Sequence, residues 1–398
     1  MNPCLLQTCA RATTFPGLVD RILDDCAKTT DWPDLLNRAE TQGIAPLLHW
    51  HLQPLDTGIP AQFRRATRLL YLRHQNVAGV YARVLRETLD LLGKVGIEAL
   101  VLKGAALCQM VYPEIGLRPM RDIDLLLSRE QAQPAQDLLV DQGFSISKAP
   151  HPTDHFHLPS LHKTVDGLHL CIEIHHSLFP DCPPYYRRHD FDSLRPRAIS
   201  FDLLGSPALT LSHEDMLWHI FQHGFHMPLT YEPFRLIAVA DIITLVEKKL
   251  HDIDWKRIED EYPEILPALP LFHHLTPWRE EVLQTFSWET DSIPADVGKA
   301  FAGWPHLRLR EQQGKDFLTI LKDTFLPPEW WTRLYYGIGS EWQWRRCRLL
   351  THPRHVLWWI RLYSAFLDSD GIPEQGRSLS TGIRRFCRRL RAAWKKIA

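Results

Sequence analysis

The sequence predicts an α+β protein in which a small mixed sheet stands between helical regions on its N-terminal and C-terminal sides. Three observations predict it. From Asp31 to Gly96 apolar residues recur at three-to-four spacing, the mark of helices with one buried stripe. Between about 96 and 205 the texture changes to short runs of alternating apolar and polar residues bounded by glycine turns. Beyond Pro207 helical periodicity returns, cut into short pieces by prolines such as Pro263, Pro277, Pro305 and Pro353.

In the first region Leu35, Leu36, Ala39, Leu47 and Leu48 trace one apolar face, and Pro60 opens a long run to Leu92. IEALVLKG, from Ile97, reads as a buried strand, followed by a brief helix over Ala105 to Val111. RDIDLLL is a second strand, and Arg129 to Asp141 fits a helix stopped by Gly143. FSIS, LHKTV and LHLCIEIHHSL are further strands, the last two joined at Asp166-Gly167, a dipeptide that suits a tight hairpin. Ser212, with Asp215 three residues on, is placed to cap the next helix. A helix is expected from Phe234 to Lys249. This reading divides the chain into a helical region at 1–95, a mixed core at 96–205, a helical domain at 206–370, and a linker with a basic helix at 371–398.

Composition argues against disorder, since 45% of the residues are hydrophobic and 23% charged. A formal net charge of −1 hides an asymmetry: residues 343–398 carry 13 Lys or Arg against 3 Asp or Glu, leaving −11 for the rest. Eight cysteines without a C-x-x-C pair give no disulfide framework or zinc knuckle and fit a reducing, cytoplasmic setting. The N-terminus lacks the layout of a secretory signal. The most apolar stretch, Val356 to Leu367, contains Arg361 and is far shorter than the roughly 20 residues a bilayer needs, so no transmembrane segment is expected.

The chemistry lies in the acids of the core. Alternation along RDIDLLL sends Asp122 and Asp124 to one face, while Ile123 and Leu125 point the other way. In CIEIHH the same rule puts Glu173 and His175 together. Adjacent carboxylates repel unless a cation lies between them, and three form an oxygen-rich site suited to Mg²⁺. Two such ions, roughly 4 Å apart, would clamp the attacking and leaving oxygens of an in-line phosphoryl displacement. Upstream, the strand VLKG turns through Gly104 into a helix, where a backbone without a side chain lets phosphate approach. Lys103, Arg118 and Arg121 are cations placed to balance phosphate charge.

The order of strand, glycine turn, helix, Asp-x-Asp strand and later Glu strand resembles the nucleotidyltransferase core of the DNA polymerase β superfamily. More narrowly, LKGAAL, YPEIGLRPMRDIDLLL, GF and IEIHHSL resemble the bacterial family of uncharacterised nucleotidyltransferases. The resemblance implies transfer of a nucleoside monophosphate from a nucleoside triphosphate such as ATP to an acceptor, with release of pyrophosphate. It implies Asp122, Asp124 and Glu173 as metal-binding, catalytic carboxylates and Gly104 as the first residue of the phosphate turn, beside which Lys103, Arg118 and Arg121 are expected on the donor side by their charge and His175 by its place on the strand face of Glu173. Ala105 stands where many superfamily members have serine or a second glycine. That departure motivates an alternative from another class: a catalytically inactive nucleotidyltransferase-like module that binds a protein partner.

Three further features need placing. His213, His219, His223 and His226 include an i, i+4 pair able to hold zinc but read better as packing residues, and His155 and His157 lie near the carboxylates in sequence. Six tryptophans from Trp330 to Trp359 read as helix-packing residues rather than a base-stacking platform. In the tail, Ile383, Phe386, Leu390, Trp394 and Ile397 form an apolar stripe opposite seven Arg or Lys. Docking on the acidic body of the chain is the favoured reading of this stripe. An anionic membrane surface met through 381–397, or a nucleic acid, is the other. The acceptor, a small molecule or a protein, has no legible code.

Overall fold

The computed structural model of the chain describes residues 4–55, 58–148, 155–179, 189–226, 235–288, 296–299, 301–303 and 314–358. The linker and basic helix expected at 371–398 lie outside the described residues. A seven-stranded mixed sheet is flanked by helices that precede and follow it in the chain, the α+β class expected. Its strands are β1 (Leu100–Val101), β2 (Ile123–Leu126), β3 (Ser145–Ile146), β4 (Leu161–Val165), β5 (Leu168–His175), β6 (Ile199–Leu203) and β7 (Ser206–Thr210). They lie in the order β3-β4-β5-β2-β1-β7-β6. Only β2 with β5 and β1 with β7 run parallel. The sheet therefore continues to Thr210, past the 96–205 segment read from the sequence.

Position in the sheet explains the strand compositions. The inner strand β2 is buried at every residue, Asp124 included, because side chains from both its faces are covered. In β5 alternation survives: Leu170, Ile172 and Ile174 are buried on one face, while Cys171 and Glu173 are half-buried on the other. The β4–β5 hairpin turns at Asp166 (φ 52°) and Gly167 (φ 76°), and two successive left-handed residues make the tight turn whose twist matches its strands. The Arg129–Asp141 helix has the expected bounds, with Ser128 capping its start, and packs on β4 and β5.

Before the sheet stand helices Leu18–Lys28, Trp32–Thr41, Ala45–Leu52 and the 34-residue Ala61–Lys94. After it, the Leu236–Lys249 helix is apolar nearly all round and correspondingly central, with Val239, Ala240, Ile242 and Ile243 inaccessible to solvent. Phe234, expected to open this helix, lies outside the described residues. The two helical regions meet through a fully buried ion pair, Arg11 with Glu247, to which Thr13 and the Pro277 carbonyl add hydrogen bonds. Ser212 caps the His213–Phe221 helix as expected. The Asp215 carboxylate, expected to complete a capping box, instead is inaccessible to solvent and receives Arg197, Arg257 and Tyr262 at 2.5–2.7 Å.

Trp330 and Trp331 are core residues, whereas Trp342 is exposed and Trp344 packs beneath Arg333 and Arg348. Packing roles thus hold for the first pair and not for Trp342. Cys9, Cys26, Cys108, Cys171 and Cys347 are free thiols. Among the described residues no helix is long and apolar enough to cross a membrane.

Candidate functional site

The parallel pairing of β2 with β5 sets Asp124 directly beside Glu173, between the apolar pairs Ile123–Ile172 and Leu125–Ile174. The sheet core thus fixes the two carboxylates in adjacent register positions. Asp122 lies one residue before β2 begins, half-buried, and with Asp124 it lines a cleft of about 130 Å³. His175 reaches back between the strands. Its Nε2 stands 3.0 Å from Asp124 Oδ1 and 3.6 Å from Glu173 Oε2, so the Nε2 proton is donated chiefly to Asp124.

One group among the described residues brings three ligand atoms within 4.8 Å of one another, and it is Asp124, Glu173 and His175. None of His213, His219 and His223 belongs to it. His219 is fully buried against Phe179 with neither ring nitrogen hydrogen-bonded, as a packing residue would be. His157 stacks obliquely on His175, with ring centroids 5.0 Å apart, and His155 packs on His157.

Charge is concentrated and only partly compensated here. Lys103 has a left-handed backbone (φ 44°), a strained conformation for a residue with a side chain, at the first position of the Lys103–Met110 helix. Its Nζ lies 3.4 Å from Asp124 Oδ2. Burial alone would raise the Asp124 carboxyl, but Lys103 and the His175 hydrogen bond outweigh it and hold it well below the usual carboxylate range. Asp122 goes the other way: anionic Asp124 first, then burial, pushes it up to about 6. Glu173 is lowered, since His175 offsets its desolvation.

The other predicted cations divide. Arg118 is spoken for, donating through Nη2 to Asp241 Oδ2 at 2.8 Å and through Nε to Oδ1 at 3.3 Å, while Tyr112 donates to the same carboxylate at 2.6 Å. Its guanidinium packs on Gly104 so closely that a Cβ there would lie 1.9 Å from Nη1. The bare backbone of Gly104 therefore faces an arginine. Arg121 is exposed and hands only its carbonyl to Tyr81, at 2.8 Å. Sequence reasoning passed over two residues of this region, Asp241 and Arg235. Arg235 lines the cleft from the start of the Leu236–Lys249 helix. A lone arginine ahead of an apolar run carries no signal that it faces acids so far upstream.

A family model described as uncharacterised nucleotidyltransferase matches residues 28–273, a span that includes every residue of the cleft. The chain belongs to this family. The match takes in the mixed sheet, with Asp124 and Glu173 at its centre, and helices on both sides of it. No curated protein matches. Among solved structures, the antibiotic-resistance factor ANT(2'')-Ia is similar at 13% identity, over 49% of this chain and 98% of its own, with a TM-score of 0.32. An antigenic nucleotidyltransferase-like protein from Paracoccidioides brasiliensis is similar at 14% identity, over 53% and 96%, with a TM-score of 0.29.

Proposed function

We propose that this nucleotidyltransferase moves a nucleoside monophosphate from a magnesium-bound nucleoside triphosphate to an acceptor and releases pyrophosphate. The observation that carries the reading is the register match of Asp124 with Glu173, with Asp122 and Asp124 lining a cleft that also holds Lys103, Arg118, Arg121 and Arg235. The donor set suits a hard divalent cation: carboxylate oxygens predominate, and the repulsion that raises Asp122 is the repulsion such an ion relieves.

Asp122, Asp124 and Glu173 would hold Mg²⁺, two ions in the fullest form of the site, with His175 orienting Asp124 by hydrogen bonding. When bound, the metal supplies charge neutralisation at the phosphates and acidifies the acceptor hydroxyl. The acceptor oxygen then forms a bond to the α-phosphorus as the bond to the bridging oxygen breaks. The pair of electrons leaves with pyrophosphate, and the acceptor's proton passes to Glu173 and on to solvent. Lys103 holds Asp124 ionised, and Arg118 shapes the glycine turn from its seat on Asp241. The family membership and the absence of any helix able to span a membrane, among the described residues, fit the cytoplasmic setting that we infer.

Calorimetry with each nucleoside triphosphate and Mg²⁺ tests this. Wild-type protein should bind at least one of them, and Asp122→Asn should lose that binding while keeping its circular dichroism spectrum. Failure of the wild type to bind any triphosphate would transfer support to an inactive, partner-binding module, the reading that the Arg118 guanidinium over Gly104 favours.

A further inference from the structure

We infer that Arg235, together with Arg121, is the receptor for the terminal phosphates of a nucleoside triphosphate, a role that rests on the nucleotidyl-transfer reading above. The cleft has four cationic side chains that could serve, and two are already committed. Lys103 neutralises Asp124 at 3.4 Å, and Arg118 is held by Asp241 at 2.8 Å. Arg121 and Arg235 have no carboxylate partner among the described residues. Both border the cleft beside Asp122.

The backbone that carries Arg235 is also fixed in place. The helix it opens is pinned at its first turn by Gln42, whose Oε1 accepts from Leu236 N–H at 2.9 Å and whose carbonyl accepts from Ile237 N–H at 3.1 Å. Ile237 packs against Gly43, where a Cβ would come within 3.2 Å of it. A half-buried guanidinium facing other guanidiniums is costly unless an anion joins them. Burial first, then Arg121 and Arg118, destabilise the Arg235 charge, and Asp122 and Asp241 offset them only in part. The unsatisfied party is therefore positive, and the missing ligand is a polyanion whose oxygens match the planar fork of arginine. With the carboxylates placed for metal at the α-phosphate, the β- and γ-phosphates fall to Arg121 and Arg235.

Calorimetric titration of the full chain with Mg²⁺ and, separately, ATP, pyrophosphate and AMP tests the assignment in wild type, Arg235→Gln, Arg235→Lys and Arg121→Gln. Arg235→Gln should weaken ATP and pyrophosphate about tenfold or more. AMP should be unaffected, and Arg235→Lys should recover part of the loss. Removing a charge that the free protein repels should leave Tm unchanged or raise it, whereas an arginine of structural importance would lower it. If wild type binds ATP and Arg235→Gln binds it equally, the receptor assignment is overturned and the triphosphate reading stands. If wild type binds pyrophosphate through Arg235 but no nucleotide, the receptor is upheld and the nucleotide donor is lost. A wild type that binds neither overturns both.

Discussion

The guanidinium of Arg118 occupies the space that a side chain on Gly104 would need, with Nη1 1.9 Å from the position of the missing Cβ. Two effects compete in Gly104→Ala. Helix preference favours alanine by about 1 kcal/mol. Displacing Arg118 leaves Asp241, only 4% exposed, as a buried anion with the Tyr112 hydroxyl but no cation beside it, at a cost of roughly 3–5 kcal/mol. The second wins, and urea unfolding should show a net loss of about 2 kcal/mol or more. An unchanged or raised midpoint would show that Arg118 swings away freely.

The raised Asp122 carboxyl has a signature in pH. Its folded value of about 6 lies above its ordinary value of about 4. The protein thus keeps this contribution to stability in the protonated form, fully below pH 4, and loses it as pH rises through 6. In metal-free protein, the stability of Asp122→Asn relative to wild type should increase across that window. Magnesium should reverse the ranking at neutral pH by stabilising the wild type alone. A difference independent of pH would contradict the origin assigned to the shift.

His175 hydrogen-bonds Asp124 at 3.0 Å and stands 3.6 Å from Glu173. His175→Ala should weaken divalent-ion binding by about 10–100-fold, the usual cost of losing a partner that orients metal ligands. Titration with Mn²⁺, followed by paramagnetic resonance, reads this without reference to catalysis. Undiminished Mn²⁺ affinity would remove His175 from the site.

Arg11 and Glu247 are both fully buried, and desolvation already holds Arg11 below its usual value despite the partner. Glu247→Gln should cost about 3–5 kcal/mol by leaving an uncompensated charge. A loss smaller than about 1 kcal/mol in thermal or chemical unfolding would show that water reaches Arg11.

What could be read in the sequence was local. Period-two alternation exposed β2 and β5 and put Asp122 with Asp124 and Glu173 with His175, because a strand's side-chain direction depends on its own residues alone. The same holds for the Arg129–Asp141 helix, whose cap and terminating glycine are adjacent to it. Arg118 showed the limit of such reading. It was expected to face phosphate, but its partner Asp241 lies 123 residues away, and no spacing rule connects them. Ser212 was legible as a cap, but Asp215 was illegible as the anion at the centre of a buried network, for the same reason. Arg235 enters the cleft only through the docking of its helix on Gln42, a tertiary event.

That docking separates the two walls of the cleft in time. By Thr210 the ribosome has supplied every strand of the sheet, along with Asp122, Asp124, Glu173 and their companions Lys103 and His175. Arg235 is still untranslated at that stage, and so is Asp241, without which Arg118 has no seat. A nascent chain can therefore assemble the half of the cleft suited to a cation before the half suited to a polyanion is complete. Phosphate recognition is a property of the finished chain.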